Sequence, residues 1–487
     1  MRNKVMELIT MANVKLYFAD RLLLDIPDFK VCSGEKIGII GDNGSGKTTL
    51  FKMIIGDIIA DEGNIKVNGI PNYCEQFYSV THSMSIMSRE QSVNNYRYIG
   101  KNCKIYSGGE IKRFQLAYIF SQYADVYLLD EPTGNLDYDG IKLLIENLKN
   151  LNTYLLISHD RTLLNQCCNK IVEISNSKLN IYEGNYSSYE YQKKLKEERN
   201  QFEYIQYITK KKRLQKEYLE KTVRAKKIAK KPKNKGKCIG KECGTKSYSS
   251  KAKNMEKSAQ VAIKKIEMLE KKEKPVESPK IKMDFRLTNP PENNRCIIQI
   301  SDLCYKINTK KLFEKFNLSI YNREKVAILG NNGTGKTTLL NFIVDGHPSI
   351  RTISNVRFGY LKQNFNNISL DKTVLENVML YSVQRMEVVR TILARLLFFE
   401  DSLHLKADKL SGGERVRLSI AQIIVSDANV LVLDELTNYL DLNSRLVVEE
   451  VLKEYPGTIL FTSHDIMFVD AIATRKIYLD KKKRNSL

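Results

Sequence analysis

The chain of 487 residues carries a formal net charge of +22, with 42% hydrophobic and 28% charged residues. This length is too great for one hydrophobic core and predicts about three domains. No run of about 18 apolar residues occurs, and the first residues lack a signal-peptide stretch, which argues against a membrane-spanning or a secreted protein. The nine cysteines are scattered, a pattern typical of a reducing cytoplasm, and Cys238 and Cys243 lack the further partners of a zinc site.

An internal repeat organises the chain, because four motifs return in the same order after residue 290. The pairs are residues 41–48 (GDNGSGKT) and 330–337 (GNNGTGKT), 106–110 (YSGGE) and 410–414 (LSGGE), 128–133 (LLDEPT) and 432–437 (VLDELT), and 158–160 and 463–465 (both SHD). The second copy holds 15 extra residues between its first two motifs. We therefore predict a first repeat (residues 1–184), a linker (185–290) and a second repeat (291–487).

Short apolar runs predict the strands of each repeat. In chain order they are residues 6–9, 36–40, 126–129 and 154–157 in the first repeat, and 297–300, 325–329, 430–433 and 458–461 in the second. The last two runs of each repeat are continuous and are typical of buried parallel strands. Helical stretches separate the runs. Each repeat is therefore predicted to be an α/β doubly wound domain.

The linker has a different composition. No proline or glycine occurs from residue 186 to 231, which favours one long helix. Proline and glycine residues then interrupt the helical pattern. A second helix is predicted over residues 250–274, where apolar side chains recur at steps of three and four: Met255, Ala259, Ala262, Ile266 and Leu269. We predict an antiparallel helical hairpin with a basic tip at about residues 232–249; a disordered charged linker is the alternative.

Most of the excess charge lies in this linker. Residues 193–282 hold 30 lysine and arginine residues against 11 glutamates and no aspartate, a net charge of +19. A charge of this size predicts a nucleic acid or an anionic membrane surface as partner. Its concentration in one segment favours RNA or DNA over a lysine-rich face that is merely solvated.

The motif GxxxxGK[ST], between a strand and a helix, indicates a phosphate-binding loop. Its glycines let backbone N–H groups surround the phosphates, and the helix N-terminus adds a favourable dipole. We expect Lys47 and Lys336 to bind the β- and γ-phosphates of ATP, and Thr48 and Thr337 to bind Mg²⁺. The nucleotide-binding residues predicted in the two glycine loops are Gly41, Asp42, Asn43, Gly44, Ser45, Gly46, Lys47, Thr48, Thr49, Gly330, Asn331, Asn332, Gly333, Thr334, Gly335, Lys336, Thr337 and Thr338.

Two carboxylates follow a buried strand in each repeat. Asp130 and Asp434 end these strands, where a carboxylate is placed to bind Mg²⁺. Glu131 and Glu435 come next and are predicted to be the general bases that activate the attacking water.

A histidine follows the next apolar run of each repeat. His159 and His464 are predicted to hydrogen-bond the γ-phosphate and to hold that water. A lone histidine is more often structural, but two at equivalent positions, among five in the chain, favour a catalytic role.

Together these motifs resemble the ATP-binding cassette (ABC) ATPases, over about residues 6–184 and 296–480. The resemblance implies that the Ser-Gly-Gly-Glu segments are the ABC signature, which in that family completes the ATP site of the opposite repeat. ATP at Lys336 would then be capped by Ser107, Gly108 and Gly109 beside Glu110, and ATP at Lys47 by Ser411, Gly412 and Gly413 beside Glu414.

The same resemblance assigns the other site residues. It implies that Gln76 and Gln363 bind Mg²⁺ and water, that Tyr17 and Tyr305 stack on adenine, and that residues 135–137 and 439–441 form the D-loops. Tyr106 and Leu436 depart from the usual leucine and proline. Neither change removes a reactive group, so both sites are expected to hydrolyse ATP.

Two such repeats with a basic helical linker resemble the F subfamily of ABC ATPases, and Lys112, Arg113, Arg415 and Arg417 match its basic residues after the signature. The resemblance implies a monomer with an intramolecular ATP sandwich and no membrane partner. Its ATP-bound form would enter the E site of the bacterial 70S ribosome. The linker tip would reach the 23S rRNA near the peptidyl-transferase centre and the P-site tRNA, and hydrolysis would allow release.

The length of the first repeat indicates which type of F-subfamily member the chain resembles. Ser107 follows Gln76 by only 31 positions, which leaves too little room for the arm of housekeeping members. The chain is similar to antibiotic-resistance members of the Vga, Lsa and VmlR type, which protect ribosomes from pleuromutilins, lincosamides and streptogramin A drugs. The alternatives are a housekeeping translation factor and the ATPase half of a drug exporter. An exporter needs a membrane partner, whereas the charged linker suits RNA phosphates.

Overall fold

The computed structural model describes residues 6–75, 108–229, 244–269, 292, 295–307, 310–361 and 367–479. The chain divides into two compact units, one of Met1–Tyr189 with Pro279–Leu487 and one of Glu190–Ser278. The first unit contains both repeats, and the second contains most of the linker. Among the described helices, none combines the length and the apolar composition that crossing a membrane requires.

Seventeen strands lie in the described residues. They are β1 (Glu7–Phe18), β2 (Arg21–Cys32), β3 (Lys36–Gly41), β4 (Glu62–Val67), β5 (Pro71–Cys74), β6 (Val126–Asp130), β7 (Tyr154–Ile157), β8 (Lys170–Ser175), β9 (Lys178–Glu183), β10 (Cys296–Ile307), β11 (Lys310–Tyr321), β12 (Lys325–Leu329), β13 (Ile350–Thr352), β14 (Phe358–Leu361), β15 (Val430–Asp434), β16 (Thr458–Thr462) and β17 (Arg475–Tyr478).

The described residues also contain thirteen α-helices. They are α1 (Lys47–Ile55), α2 (Gly108–Ser121), α3 (Tyr138–Asn150), α4 (Arg161–Cys167), α5 (Tyr186–Ala229), α6 (Gly244–Glu267), α7 (Lys336–Asp345), α8 (Val374–Met379), α9 (Met386–Arg395), α10 (Glu400–Leu403), α11 (Gly412–Val425), α12 (Leu442–Glu454) and α13 (Ile466–Ile472). Two 3₁₀ helices occupy Ala407–Lys409 and Leu436–Tyr439.

The first repeat is built on one sheet of nine described strands, in the order β4-β1-β2-β9-β8-β3-β7-β6-β5. Strands β8, β3, β7, β6 and β5 run parallel to one another. Strands β1, β2 and β4 form an antiparallel part at the other side. Every residue of β6 and β7 is buried, as predicted from their continuous apolar runs, because core side chains cover both faces of the sheet.

The second repeat has the same central arrangement, with five described parallel strands in the order β14-β15-β16-β12-β17. A second described sheet, β11-β10-β13, is antiparallel. Helices α8 to α11 pack together beside the parallel sheet through a shared buried core. The predicted α/β class is thus confirmed for both repeats.

The order of strands and helices places the glycine loops at the carboxyl edge of each parallel sheet. Strands β3 and β12 lead into these loops, and α1 and α7 begin at Lys47 and Lys336. The residues before these lysines, Gly46 and Gly335, have φ values of 98° and 96°, a left-handed conformation that favours glycine. A β-carbon at Gly335 would also lie 2.9 Å from the ring of Phe313. The turn therefore needs glycine for two separate reasons.

The linker forms the predicted helical hairpin. Helix α5 has 44 residues and spans about 66 Å at the usual rise per residue. Helix α6 begins at Gly244, six residues before the predicted start, so residues 244–249 of the predicted tip are helical. The rest of that tip, with Cys238 and Cys243, lies outside the described residues.

The two linker helices lie side by side. Leu214 of α5 and Ala259 of α6 are buried. The pKa of Glu217 is lowered, first by its hydrogen bond with Lys221 in the same helix and also by the charge of Lys265 in α6. Apolar packing and opposite charges therefore both hold α5 and α6 together near Leu214 and Ala259.

Candidate active sites

Each glycine loop encloses the ammonium group of its own lysine. Lys47 Nζ donates hydrogen bonds to the carbonyl oxygens of Gly41 and Asp42 at 2.8 and 2.9 Å. Lys336 Nζ donates to the carbonyl oxygens of Gly330 and Asn331 at 2.9 and 3.3 Å. Burial lowers the pKa of Lys47, a penalty that is relieved when anionic groups approach.

A threonine hydroxyl and a carboxylate meet beside each lysine. Thr48 Oγ1 donates to Asp130 Oδ2 at 2.7 Å, and the hydroxyl of Thr337 hydrogen-bonds Asp434. Burial raises the pKa of both aspartates. A hydroxyl paired with a carboxylate is an oxygen donor set that fits Mg²⁺. Ser45 Oγ of the first loop is also buried without a hydrogen-bond partner in the described residues, as expected of a group that serves a ligand.

A glutamate and a histidine face each other in both repeats. His159 Nε2 lies 3.5 Å from Glu131 Oε1, and His464 Nε2 lies 3.2 Å from Glu435 Oε1. Both glutamates have left-handed backbones, with φ of 44° and 48°. Such strain is costly for a residue with a side chain and is commonly kept at functional positions.

Burial alters the ionisation of the first pair. It raises the pKa of Glu131 to about 7, although the positive charge of Arg445 opposes the shift. It also lowers the pKa of His159 to about 3, so this imidazole is neutral at physiological pH. A carboxylate whose pKa lies near the operating pH is well suited to general-base catalysis.

Two cavities hold these groups, and residues of both repeats line each one. The cavity at Lys47 (the Lys47 site) has a volume of about 950 Å³ and includes Gly412 and Gly413 of the opposite signature. The cavity at Lys336 (the Lys336 site) has a volume of about 730 Å³ and includes Gly108 and Gly109. Helices α2 and α11 begin at these signature glycines, so their N-termini border the cavities.

The second signature is fixed by a local cap. The backbone N–H of Glu414 donates to Ser411 Oγ at 3.3 Å, and the N–H of Ser411 donates to Glu414 Oε2 at 2.8 Å. This capping box holds the first turn of α11 in register. The first signature is described only from Gly108 onward, where Glu110 lies in the first turn of α2.

The D-loops join each glycine loop to the opposite repeat. At the Lys336 site, Asn332 donates from its backbone to Asp137 Oδ2 at 3.5 Å and from its side chain to the carbonyl oxygen of Asn135 at 3.1 Å. At the Lys47 site, Asn43 N–H donates to Asp441 Oδ2 at 3.5 Å. The bond from the loop backbone to the D-loop aspartate therefore occurs at both sites.

Some predicted site residues lie outside the described residues, and two described tyrosines are absent from the described cavity linings. Gln76, Ser107 and Gln363 lie outside the described residues. Tyr17 is 42% exposed, and the ring of Tyr305 packs edge-to-face on Phe342 at 4.8 Å. The described cavity linings include Leu23, Ile307 and Leu312 in this region and neither tyrosine. Adenine stacking by the tyrosines stays a prediction.

The structure places three further residues in the cavities, of which only Lys112 was noted from the sequence, as a basic residue after the signature. Lys112 and Gln115 of α2 line the Lys47 site, and both donate to the carbonyl oxygen of Glu75, at 3.0 and 2.9 Å. Arg445 of α12 borders both cavities. Its only sequence signal is a charged residue four positions after the D-loop aspartate, which is also common on solvated helices.

The comparisons with known proteins agree with this geometry. The ABC transporter family model matches residues 24–95 and 313–438. Ribosome protection protein VmlR of Bacillus subtilis (strain 168) is 30% identical over 481 residues, which cover 97% of this chain and 87% of VmlR. Erythromycin resistance ATP-binding protein MsrA of Staphylococcus epidermidis is 33% identical over 463 residues, which cover 91% of each protein. ABC transporter F family member 5 of Arabidopsis thaliana is 30% identical and covers 97% of this chain and 75% of its own length. The chain belongs to the F subfamily of ABC ATPases.

Membership in the ABC-F subfamily makes this chain a nucleotide-binding protein and an ATPase, as predicted. Its likeness to VmlR and MsrA confirms the predicted antibiotic-resistance type. Among solved structures, the RNase-L inhibitor superposes with a TM-score of 0.61 at 16% identity, over 96% of this chain and 87% of its own. That likeness shows the tandem ABC fold.

Proposed function

We propose that this ABC-F ATPase protects bacterial 70S ribosomes from antibiotics. The ATP-bound chain enters the E site, its linker tip extends toward the peptidyl-transferase centre beside the P-site tRNA, and bound pleuromutilin, lincosamide or streptogramin A drugs are displaced. The observation that carries the proposal is the helical linker, whose residues 193–282 have a net charge of +19. Its charge suits rRNA phosphates, and the name of VmlR describes a ribosome protection protein. Such a protein works in the cytoplasm.

In this proposal, residues 1–184 and 291–487 are the two ATPase domains and residues 185–290 are the ribosome-binding linker. Thr48 and Asp130 with Gln76, and the equivalent Thr337 and Asp434 with Gln363, would hold Mg²⁺, which would neutralise charge on the phosphates. The chain's own residues bind and orient ATP and remove a proton from the attacking water.

The proposed proton acceptors are Glu131 and Glu435. Their carboxylates lie within 3.5 Å of a histidine that can orient the water. The signature of the opposite repeat caps each nucleotide with backbone N–H groups at a helix N-terminus. Because both repeats line each cavity, ATP stabilises their association and hydrolysis weakens it.

The exposed face of α5 supports contact with RNA. Lysines and tyrosines both occur along this helix, and Lys211 Nζ lies 5.8 Å from the centre of the partly exposed Tyr207 ring. Exposed Phe202 and Ile205 add apolar surface to the same helix. Basic groups beside aromatic rings suit phosphates and unstacked bases.

Ribosome binding through this charge predicts a steep salt dependence. The Glu131→Gln, Glu435→Gln chain with ATP should co-sediment with 70S ribosomes, and the logarithm of its affinity should fall linearly with the logarithm of salt concentration. Replacing Lys210, Lys212 and Lys216 of α5 by glutamine should lower that slope by about 0.7 to 0.9 for each rRNA phosphate that the variant no longer neutralises.

The matched control replaces three exposed lysines of the first repeat, Lys66, Lys142 and Lys178, by glutamine. These changes should leave the slope unaltered. A chain that never sediments with ribosomes would contradict the proposal. An equal effect of both triple variants would contradict the role of the linker. If ribosomes are bound but expression leaves drug susceptibility unchanged, the chain is a housekeeping factor.

Hydrolysis at the Lys47 site should depend on pH through Glu131. The base must be ionised to accept a proton, and burial raises its pKa to about 7. Raising the pH therefore increases the active fraction, and the rate should rise about tenfold per unit at low pH and level off above about pH 7. Single-turnover hydrolysis by the Glu435→Gln chain at Mg-ATP concentrations well below saturation measures this site alone and reports the ionisation of the nucleotide-free protein. A flat profile from about pH 5.5 to 8.5 would exclude a rate-limiting role for this ionisation.

A further inference from the structure

The two repeats differ where they meet. Helices α3 and α12 each begin after a D-loop aspartate that caps the helix, since Asp137 accepts from Gly140 N–H and Asp441 accepts from Ser444 N–H.

Counted from these caps, Ile141 is the counterpart of Arg445. By the same count, Ile145 of α3 is the counterpart of Glu449 in α12, and Arg161, the first residue of α4, corresponds to Ile466 in α13. Charged residues occupy three positions whose counterparts are isoleucines.

These three charged residues form one buried network across the repeats. Arg161 binds Glu449 through both guanidinium nitrogens, with Nη1 at 3.2 Å from Oε2. Its Nη2 lies 3.9 Å from Asp465 Oδ2. Arg445 Nη1 donates to the same Asp465 oxygen at 3.1 Å. All four side chains are less than 10% exposed, so water screens these interactions little.

Arg445 also reaches across to the first repeat. Its Nη1 donates to the carbonyl oxygen of His159 at 2.6 Å, and its Nε donates to Leu440 O at 3.0 Å. A charged donor makes a strong and directional bond to a carbonyl oxygen. The guanidinium of Arg445 therefore fixes the backbone of His159, the histidine that faces Glu131. Its other partner, Asp465, is the residue after His464 in the second repeat.

The Lys336 site has no equivalent bond from this position. Arg445 lines both cavities, and the opposite repeat contributes Ile141 to the Lys336 cavity at the equivalent position. The aliphatic side chain of Ile141 has no donor for the carbonyl oxygen of His464. The two ATP sites thus differ in how the opposite repeat supports the catalytic histidine.

We propose that Arg445 is a positioning residue for ATP hydrolysis at the Lys47 site. It is supplied by the opposite repeat, so the His159–Glu131 pair is held for catalysis only when the two repeats are closed together. At the Lys336 site the opposite repeat offers Ile141 in place of such a donor, so the two sites differ in how much their hydrolysis depends on the opposite repeat. This inference rests on the proposed roles of Glu131 and His159.

The test measures single-turnover ATP hydrolysis separately at each site. In the Glu435→Gln chain the Lys47 site remains active, and in the Glu131→Gln chain the Lys336 site does. Adding Arg445→Ile, which copies the counterpart residue, should slow the Lys47 site by about ten- to a hundredfold, as expected for a misplaced catalytic group. The loss at the Lys336 site, which Arg445 borders from its own repeat, should be several times smaller than the loss at the Lys47 site. ATP affinity at the Lys47 site should change less than about twofold.

Two further variants separate positioning from a general structural effect. Arg445→Lys keeps a buried positive charge for Asp465. Lysine has a single nitrogen, so it cannot reproduce the bonds that Nε makes to Leu440 and Nη1 makes to Asp465 and His159. It should fold and bind ATP like the parent chain while the Lys47 site stays at least about fivefold slower. Lys142→Gln, an exposed change next to Ile141, is the matched control and should alter neither site.

Equal losses at both sites, or a normal Lys47 rate in either Arg445 variant, would overturn the inference. A loss of ATP affinity that accounts for the slower rate would overturn it as well. If Glu131→Gln leaves turnover at the Lys47 site intact, the proposed function of Glu131 fails, and this result does not depend on Arg445.

Discussion

Replacing Glu131 and Glu435 together by glutamine is expected to lower ATP turnover by at least about a hundredfold while ATP stays bound. Glutamine has the shape of glutamate but cannot accept a proton from water. Because the glycine loops and signatures remain intact, the nucleotide should hold the repeats together. Phosphate release measures turnover, and retention of labelled ATP on the isolated protein measures the trapped state.

The matched control replaces two exposed glutamates at equivalent positions of α3 and α12, Glu146 and Glu450, by glutamine. That chain should keep its turnover within about twofold. On ribosomes, the trapped chain should remain bound after dilution, whereas the control should leave. Rapid release of the trapped chain, or turnover above a tenth of the parent rate, would contradict hydrolysis by these two bases as the release step.

Replacing Arg161 alone by methionine is expected to destabilise the joined repeats by about 3–5 kcal/mol, because Glu449 then keeps a buried charge without its partner. Arg161 and Glu449 are 3% and 4% exposed. The double change, Arg161→Met with Glu449→Leu, removes both charges and should be nearly neutral, since apolar side chains of similar size can replace a buried ion pair.

Melting of the ATP-bound, hydrolysis-deficient chain measures this effect. At about 2–4 °C per kcal/mol for domains of this size, the single variant should melt about 6–20 °C lower. Lys15→Ala is the control, because it breaks an exposed ion pair with Glu62 at 2.8 Å, and water and salt screen such a pair. Its melting temperature should stay close to that of the parent chain. A double variant as unstable as the single one would show that the site requires the ion pair itself.

The glycine loops and strand ends were predictable because their chemistry is local. Lys47 follows a strand and starts a helix within a few residues, and Asp130 ends a strand whose five residues are all buried. A strand–loop–helix order places such groups at the carboxyl edge of a parallel sheet in any domain of this class. The same reasoning predicted the long linker helix from the absence of proline and glycine.

The adenine pocket shows where local reasoning ends. The family resemblance predicts that Tyr305 stacks on adenine; its ring packs on Phe342 in the structure, and the stacking stays a prediction. An aromatic side chain next to a core can serve either purpose, and sequence position alone does not distinguish them. The predicted start of α6 lies six residues too late for a similar reason, since glycine and serine are permitted in a helix as well as in a turn.

The sequence by itself determined the two ATPase repeats, their catalytic residues as candidates, and a basic helical linker between them. Only the tertiary structure decided how the repeats meet. Arg161 and Glu449 are 288 positions apart, and Arg445 lies 286 positions from His159. No periodicity or motif spacing relates such residues, because their approach results from packing two complete domains against each other. The inequality of the two ATP sites is therefore a property of that interface, where each of these three charged residues has an isoleucine at the equivalent position of the opposite repeat.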